Sequence, residues 1–417
     1  MSFFELRPVG TEPFRADAEQ LVWDLPTNSS GTVRSDVDAW LSEFGPVSAA
    51  AIDLVRVSAA AYMADRQTPR RQGYSRSIQV HVQVMSIDRW NGAVDLVASF
   101  LHWLTADTWE ISLSQDQTTR PLPSDESEVG YERVVLLSGG LDSFAGLMAA
   151  GIDSKRLCVG HWDNPTVKAS QDRVWGWIRD GERASGDYRQ VRLCESKRKR
   201  EASTRSRCFM FFALAVAAAT ASGAREVQIP ENGFTSLNPV LGNDRGGALS
   251  TRSTHPWTLH LFQELLEALG IDVRVSNPYG MLTKGELVSV ANERIAIAGG
   301  VPLTFSCGKL DGHYYRGGNQ NYHCGACVAC LTRRGAMIAS GVPDDTPYLV
   351  NVLGQAEVVR LLDRRRVDLR AVATAASREI DEFTLLAQGP YPRTYDLALA
   401  ANLCRRGLAE LVRALPQ

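Results

Sequence analysis

The spacing of apolar positions divides the chain into regions of different rhythm. Over Ser77–Val84, Ile78, Val80, Val82 and Val84 alternate with polar residues, which predicts a half-buried strand. Asp36–Asp65 reads as helical, with Trp40, Leu41, Phe44, Ile52, Leu54 and Val55 as core candidates. Asp95–Thr105 predicts a second helix and Thr108–Leu113 a second strand. Residues 1–130 thus read as an α+β accessory unit that ends in a polar, acidic linker, Thr118–Gly130, carrying Pro121 and Pro123.

From residue 131 the rhythm changes. Short, nearly unbroken apolar runs at Arg133–Leu137, Arg156–Gly160, Tyr188–Leu193, Glu226–Ile229 and Ile271–Val275 suit strands buried on both faces. Helical segments lie between them: one from Ser143, a long one over Arg205–Ser222 and one over Leu259–Leu269. Strands alternating with helices predict an α/β fold with a parallel sheet over 131–305. A small cysteine-rich module follows at 306–341. Residues 342–417 read as helical, with segments at Ala356–Asp363, Leu369–Leu385 and Tyr395–Leu415.

Charge and composition narrow the function classes. The 417 residues are 44% hydrophobic and 22% charged, with a formal net charge of −2. That balance gives no support to a general nucleic-acid coat or an anionic-membrane binder. The most apolar run, Phe209–Ala219, is shorter than the ~20 residues a bilayer span needs and reads as a buried helix. Glu5 and Arg7 stand where a secretory leader would be apolar, so a cytoplasmic location is expected. In such a compartment the eight cysteines should be thiols or metal ligands.

Two motifs carry chemistry. Ser138-Gly139-Gly140-Leu141-Asp142-Ser143 joins a predicted strand to a predicted helix. Two glycines allow a tight turn that presents backbone N–H groups, serine hydroxyls add donors, and the helix N-terminus adds positive potential. The bland alternative is a β–α turn without a ligand. No Walker loop and no G-x-G-x-x-G occurs here, which disfavours γ-phosphoryl transfer. Asp142 is a candidate holder of the Mg2+ that accompanies a nucleotide. In the second motif, Cys324, Cys327 and Cys330 form overlapping C-x-x-C units, with Cys307 upstream as a fourth thiolate. Four thiolates favour a structural Zn2+, although the spacing also admits iron.

SGG-x-DS resembles the signature of the PP-loop ATP pyrophosphatases, which implies adenylation by ATP with release of AMP and pyrophosphate. Together with C-G-x-C-x-x-C at Cys324–Cys330, it resembles the 7-cyano-7-deazaguanine synthase (QueC) family over about residues 131–341. That resemblance implies a PP-loop sheet core, a carboxylated 7-deazaguanine as the small-molecule substrate, and ATP, Mg2+ and Zn2+ as cofactors. Family position further suggests phosphate contacts for Arg207 and Lys284. Lys284 opens a Thr-Lys-x-Glu helix start. His161 and Trp162 follow the second strand, where adenine is expected, and Glu231 and Asn232 are candidates for reading a purine-like edge. Each of these has an ordinary structural alternative. His313 and His323 carry no ligand expectation.

The chain departs from the family pattern in its flanking regions, in the segment after the fourth strand and in the length between Cys307 and Cys324. The whole layout resembles the QueC-like proteins of bacterial anti-phage systems, such as that of the Qat system. This implies a co-encoded protein partner as acceptor of the deazaguanine, with no role for nucleic acid or membrane. Two further readings are a free synthase that makes the nitrile, and a PP-loop tRNA-modifying enzyme built around the basic run Lys197–Arg207 with Cys194 and Cys208. A fourth is a scaffold that binds nucleotide without catalysis, against which the intact SGGLDS weighs.

Overall fold

The apolar runs pair into one ten-stranded sheet in the computed structural model. Residues 2–23, 32–70, 75–118, 130–195, 200–201, 205–242 and 252–415 are described. The strands are β1 (Ser2–Pro8), β2 (Glu19–Trp23), β3 (Val33–Ser35), β4 (Ser77–Val84), β5 (Thr108–Gln115), β6 (Arg133–Leu136), β7 (Arg156–Trp162), β8 (Gly186–Glu195), β9 (Glu226–Gln228) and β10 (Arg274–Ser276). Their order is β10-β9-β6-β7-β8-β3-β2-β1-β4-β5. All neighbours run parallel except β3 and β8, which pair antiparallel and join two parallel blocks.

The N-terminal region was expected as an α+β unit of its own. Its five strands are instead all parallel to one another and share the sheet with the second block. The expected helix over Asp36–Asp65 is two helices, Val37–Ser42 and Ala49–Gln67. Gly45, at φ +122°, and Pro46 end the first. Ser48 then caps the second by accepting from Ala51 N at 3.2 Å. Ala49–Gln67 is buried nearly all round because it lies between the sheet and the helix Arg207–Ser222. Small side chains let the two helices approach, and they share one large core.

In the second block β6 contributes Val134, Val135 and Leu136, all buried. One face packs against Arg207–Ser222 and the other against Leu141–Ala149, as a parallel sheet covered on both sides requires. The fifth strand forms at Arg274–Ser276, displaced from the expected Ile271–Val275. The helix Pro165–Asp180 had no sequence expectation. Asn164 caps it and Pro165 opens it. In the C-terminal region the expected helix Leu369–Leu385 is split into Arg366–Ala375 and Glu382–Leu386, and Leu397–Val412 packs back onto the core. The linker at 118–130 lies almost wholly outside the described residues. Among the described residues no helix is long and apolar enough to cross a membrane.

Candidate functional site

β6 and β9 are neighbours, yet the chain leaves them for opposite sides of the sheet: towards β7 from one, towards β10 from the other. The carboxyl ends of two such strands border a crevice, the usual ligand position in an open α/β sheet. Here the β6 end leads into Ser138–Ser143 and the β9 end into Pro230–Asn232. Between them lies a cavity of about 350 Å³, bordered by Ser138, Gly140, Asp142, Ser143, Glu231, Lys284 and Ser306.

The loop is held from three sides. Gly139 sits at φ +81°, and a Cβ there would lie 3.0 Å from Gln171 Cγ, so glycine alone fits. Ser170 Oγ donates to Gly139 O at 2.9 Å, and Gln171 Nε2 donates to Ser138 O at 3.3 Å. Phe305 N also donates to Gly139 O, at 2.8 Å. Ser143 Oγ accepts from Ser138 N at 3.2 Å. Ser306 Oγ accepts from Leu141 N at 3.0 Å, at the start of the helix Leu141–Ala149. A bound anion would compete with this hydroxyl for a first-turn donor.

Asp142 and Lys284 form an ion pair, with both side chains largely buried. Asn232 Nδ2 donates to Asp142 Oδ1 at 2.8 Å and to Glu231 Oε1 at 3.1 Å. Burial alone would raise the Asp142 carboxyl, but the Lys284 ammonium and the Asn232 amide outweigh it and hold it below the ordinary aspartate range. Burial, then the charge of Asp142, pushes Glu231 well above the ordinary glutamate range. The two neighbouring carboxyls are thus pushed in opposite directions, Asp142 down and Glu231 up, the kind of separation found where one group holds charge and the other exchanges a proton. Asp142 was expected to hold a metal ion; its oxygens are engaged by Lys284 and Asn232, so a divalent cation here would come with its own phosphate ligands.

Lys284 owes its place to a capping box, in which Thr283 and Glu286 satisfy each other's backbone donors. Glu410, from the C-terminal helix, adds a second clamp. Its carboxylate accepts from Gly285 N at 2.9 Å and from Thr283 Oγ1. A Cβ at Gly285 would lie 2.6 Å from Glu410 Oε1, so this approach also requires glycine. Arg406 spans Glu286 with bonds of 2.7 and 3.1 Å.

His161, Trp162 and Arg207 do not line this cavity. His161 is fully buried, and its Nε2 lies 2.9 Å from Leu193 O. Burial, reinforced by the Arg207 charge, lowers it to about 3, so it is neutral at physiological pH. Trp162 has the Arg192 guanidinium 4.9 Å from its ring centroid. Arg207 opens its helix and donates to His161 O at 3.4 Å. Of the basic run, Lys197–Lys199 lie outside the described residues.

Cys307, Cys324, Cys327 and Cys330 converge, with all four sulfurs within 4.8 Å of one another. The separations Cys307–Cys327 and Cys324–Cys330 are 4.0 and 3.7 Å. A tetrahedral ion with bonds of about 2.3 Å requires sulfurs about 3.8 Å apart, so the donor set fits zinc. Backbone N–H groups of Lys309 and Cys324 point at Cys307 Sγ, both at 3.4 Å, and offset thiolate charge. The cluster reaches the phosphate loop through its neighbours: His323 Nε2 accepts from Ser306 N at 3.0 Å, and Ser306 holds Leu141. Ser170, Gln171, Ser306 and Glu410 carried no sequence motif; Ser306 alone had a signal, its position beside Cys307.

The fold and site define an α/β protein with a glycine-rich strand-to-helix loop at its switch point and a four-cysteine module beside it. Two curated proteins are similar in sequence, both named 7-cyano-7-deazaguanine synthase. The one from Methanothermobacter thermautotrophicus is 38% identical over 93 residues, 22% of this chain and 36% of that protein. The one from Ralstonia pickettii is 29% identical over 143 residues, 34% of this chain and 55% of that protein. The chain thus spans little more than a third to about half the length of these relatives. These partial matches support a QueC-like kinship. No family model matches the chain.

Proposed function

We propose that the chain is a QueC-like, ATP-dependent adenylating enzyme acting on the carboxylate of a 7-deazaguanine, within an anti-phage defence system. The observation that carries this reading is the convergence of the SGGLDS loop, the Asp142–Lys284 pair and Glu231 on one crevice.

The loop amides and the Ser138 and Ser143 hydroxyls would bind phosphate oxygens, and Lys284 would neutralise charge developing on them. A carboxylate oxygen of the substrate attacks the α-phosphorus, the bond to the β-phosphate oxygen breaks, and pyrophosphate leaves. An amine then attacks the acyl carbon, AMP leaves with the carboxylate oxygen, and the amine loses a proton. Glu231, at the β9 end, lines the crevice and would meet a purine-like ring, whereas Asn232 is fully buried behind it and holds Asp142 and Glu231 in place. Mg2+ would enter with ATP. Zn2+ held by the four cysteines would fix the wall containing Phe305 and Ser306.

In this reading the amine belongs to a partner protein, and the regions flanking 131–341 serve its recognition. The names of the two similar proteins favour a second reading, a free synthase that uses ammonia and goes on to the nitrile. Mass spectrometry of reactions with ATP, Mg2+ and 7-carboxy-7-deazaguanine, with ammonia or with co-encoded proteins, separates the two. A partner protein gaining the mass of a deazaguanine acyl group supports conjugation. A free nitrile formed only with ammonia supports the synthase and removes the conjugation reading.

A further inference from the structure

The two parallel blocks share one topology. Counting strands from the start of each, β3-β2-β1-β4-β5 and β8-β7-β6-β9-β10 are both 3-2-1-4-5. The blocks meet edge to edge through their third strands, β3 and β8, with Val33 opposite Glu195 and Ser35 opposite Leu193. Ala49–Gln67, which links strands three and four of the first block, packs on Arg207–Ser222, which links strands three and four of the second. Val94–Thr105 and Pro256–Ala268, each between strands four and five, also pack together. Like element meets like element, and the joining strands run antiparallel. This is the arrangement of an isologous two-fold interface, here closed within one chain.

The first block lacks the anion site of the second. β1 is followed by Val9–Ala18, which forms no helix before β2 begins at Glu19, so no helix N-terminus faces its switch point. The ends of β1 and β4 are closed by internal bonds. Gln83 Nε2 donates to Glu12 O at 3.0 Å, and Arg56 bridges Gln83 O and Asp116 at 3.3 and 2.9 Å.

The interface also reaches the working loop. Arg66 and Tyr62, on the last turns of Ala49–Gln67, donate to Asp163 Oδ2 at 2.7 and 3.0 Å. Asp163 Oδ1 accepts from Asn164 Nδ2 at 3.0 Å, and Asn164 Oδ1 caps Pro165–Asp180 by accepting from Val167 N at 3.0 Å. That helix supplies the Ser170 and Gln171 that grip Gly139 and Ser138.

We infer that the described residues between 2 and 118 form an internal counterpart of the nucleotide-binding half, docked where a second subunit would dock. It has no phosphate loop of its own and holds the loop of the working half in position through Arg66 and Tyr62. Arg66 is a positioning residue. It acts on the loop through Asp163, Asn164 and the helix they open.

Three measurements on the full chain test this. Light scattering should find one chain per particle; a two-chain particle would overturn the claim that the first block stands in for a partner. Equilibrium dialysis with a non-hydrolysable ATP analogue should give one site per chain, and two sites would overturn the loss of the first site. This count rests on the nucleotide reading above. Hydrogen exchange does not: in Arg66→Met the amides of Gly139–Leu141 should exchange roughly tenfold faster, the size expected for coupling through packed contacts. Tyr62→Phe, which removes one hydroxyl, should show a smaller effect in the same direction and covers the case in which Arg66→Met fails to fold. Unchanged loop exchange in a folded variant would overturn the buttress. Altered exchange without nucleotide binding would uphold the buttress and count against the proposed function alone. If both readings hold, Arg66→Met raises KM for ATP by a similar factor with little change in kcat.

Discussion

Lys284→Met removes the one cation among the described residues lining the crevice while keeping most of the side-chain volume. Asp142 would then be a buried carboxylate beside Glu231, with the Asn232 amide still donating to it. Lys284 and Asp142 are 7% and 13% exposed, so solvent screens their pair weakly. Breaking one side of such a pair costs about 3–5 kcal/mol, chiefly through the charge left behind. Asp142→Asn strands the Lys284 ammonium in the same way and should cost a similar amount. The pH dependence has a definite sign. With Lys284 present, the depressed Asp142 value makes a stabilising contribution that is full above the unfolded pKa of ~3.9 and is lost as pH falls through the folded value. Without Lys284 the folded value rises, and protonation relieves the variant. The stability gap between Lys284→Met and the parent should therefore be widest near pH 8 and shrink towards pH 5. Urea unfolding followed by tryptophan fluorescence reads this directly, with the Asp142→Asn, Lys284→Met double variant closing the cycle. A gap below about 1 kcal/mol at pH 8, or one that does not vary with pH, would show that solvent screens the pair, since exposed pairs behave that way.

Gly139→Ala should destabilise by about 1–3 kcal/mol, because alanine must adopt φ +81° against Gln171, and calorimetry should find nucleotide binding lost. Metal analysis should find one zinc per chain; its removal by a chelator, or Cys324→Ser, should weaken nucleotide binding by loosening the His323–Ser306–Leu141 connection. Glu410→Ala leaves Gly285 N without its acceptor and should cost about 1–3 kcal/mol and lower turnover, whereas Arg406→Ala, on a half-exposed pair, should cost no more than about 1 kcal/mol. His161 and His255 are both held neutral down to about pH 3 by burial, so each contributes stability above the unfolded value of ~6.5 that is lost as pH falls. Unfolding curves should lose up to ~1.4 kcal/mol per pH unit for each below pH ~6, and His161→Gln should flatten that slope.

What the chain reveals of itself follows the range of its interactions. Ser77–Val84 was legible to the residue, because a period of two with β-branched residues on one face is a local signal. The strand-to-helix turn at Ser138–Ser143 and the convergence of the four cysteines were legible because each is a short motif whose geometry its own residues largely dictate. Helix breaks were misread where a local stop was outweighed by apolar spacing: Gly45-Pro46 inside the expected Asp36–Asp65 is the clear case. Pro165–Asp180 was overlooked although Asn164-Pro165 is a start signal, because its apolar stripe is sparse. The pairing of Asp142 with Lys284, the Glu410 clamp and the joining of β3 to β8 depend on contacts between residues far apart in sequence. The doubled topology was hidden for the same reason: the two blocks share strand order without sharing a motif.

In the proposed function the crevice activates a carboxylate by adenylation. The most direct test is to incubate the protein with ATP, Mg2+ and 7-carboxy-7-deazaguanine and resolve the nucleotides by ion-exchange chromatography. AMP and pyrophosphate, formed only when the carboxylate is present and absent with Asp142→Asn, are the predicted result. ADP and phosphate, or AMP formed equally without the carboxylate, would contradict it.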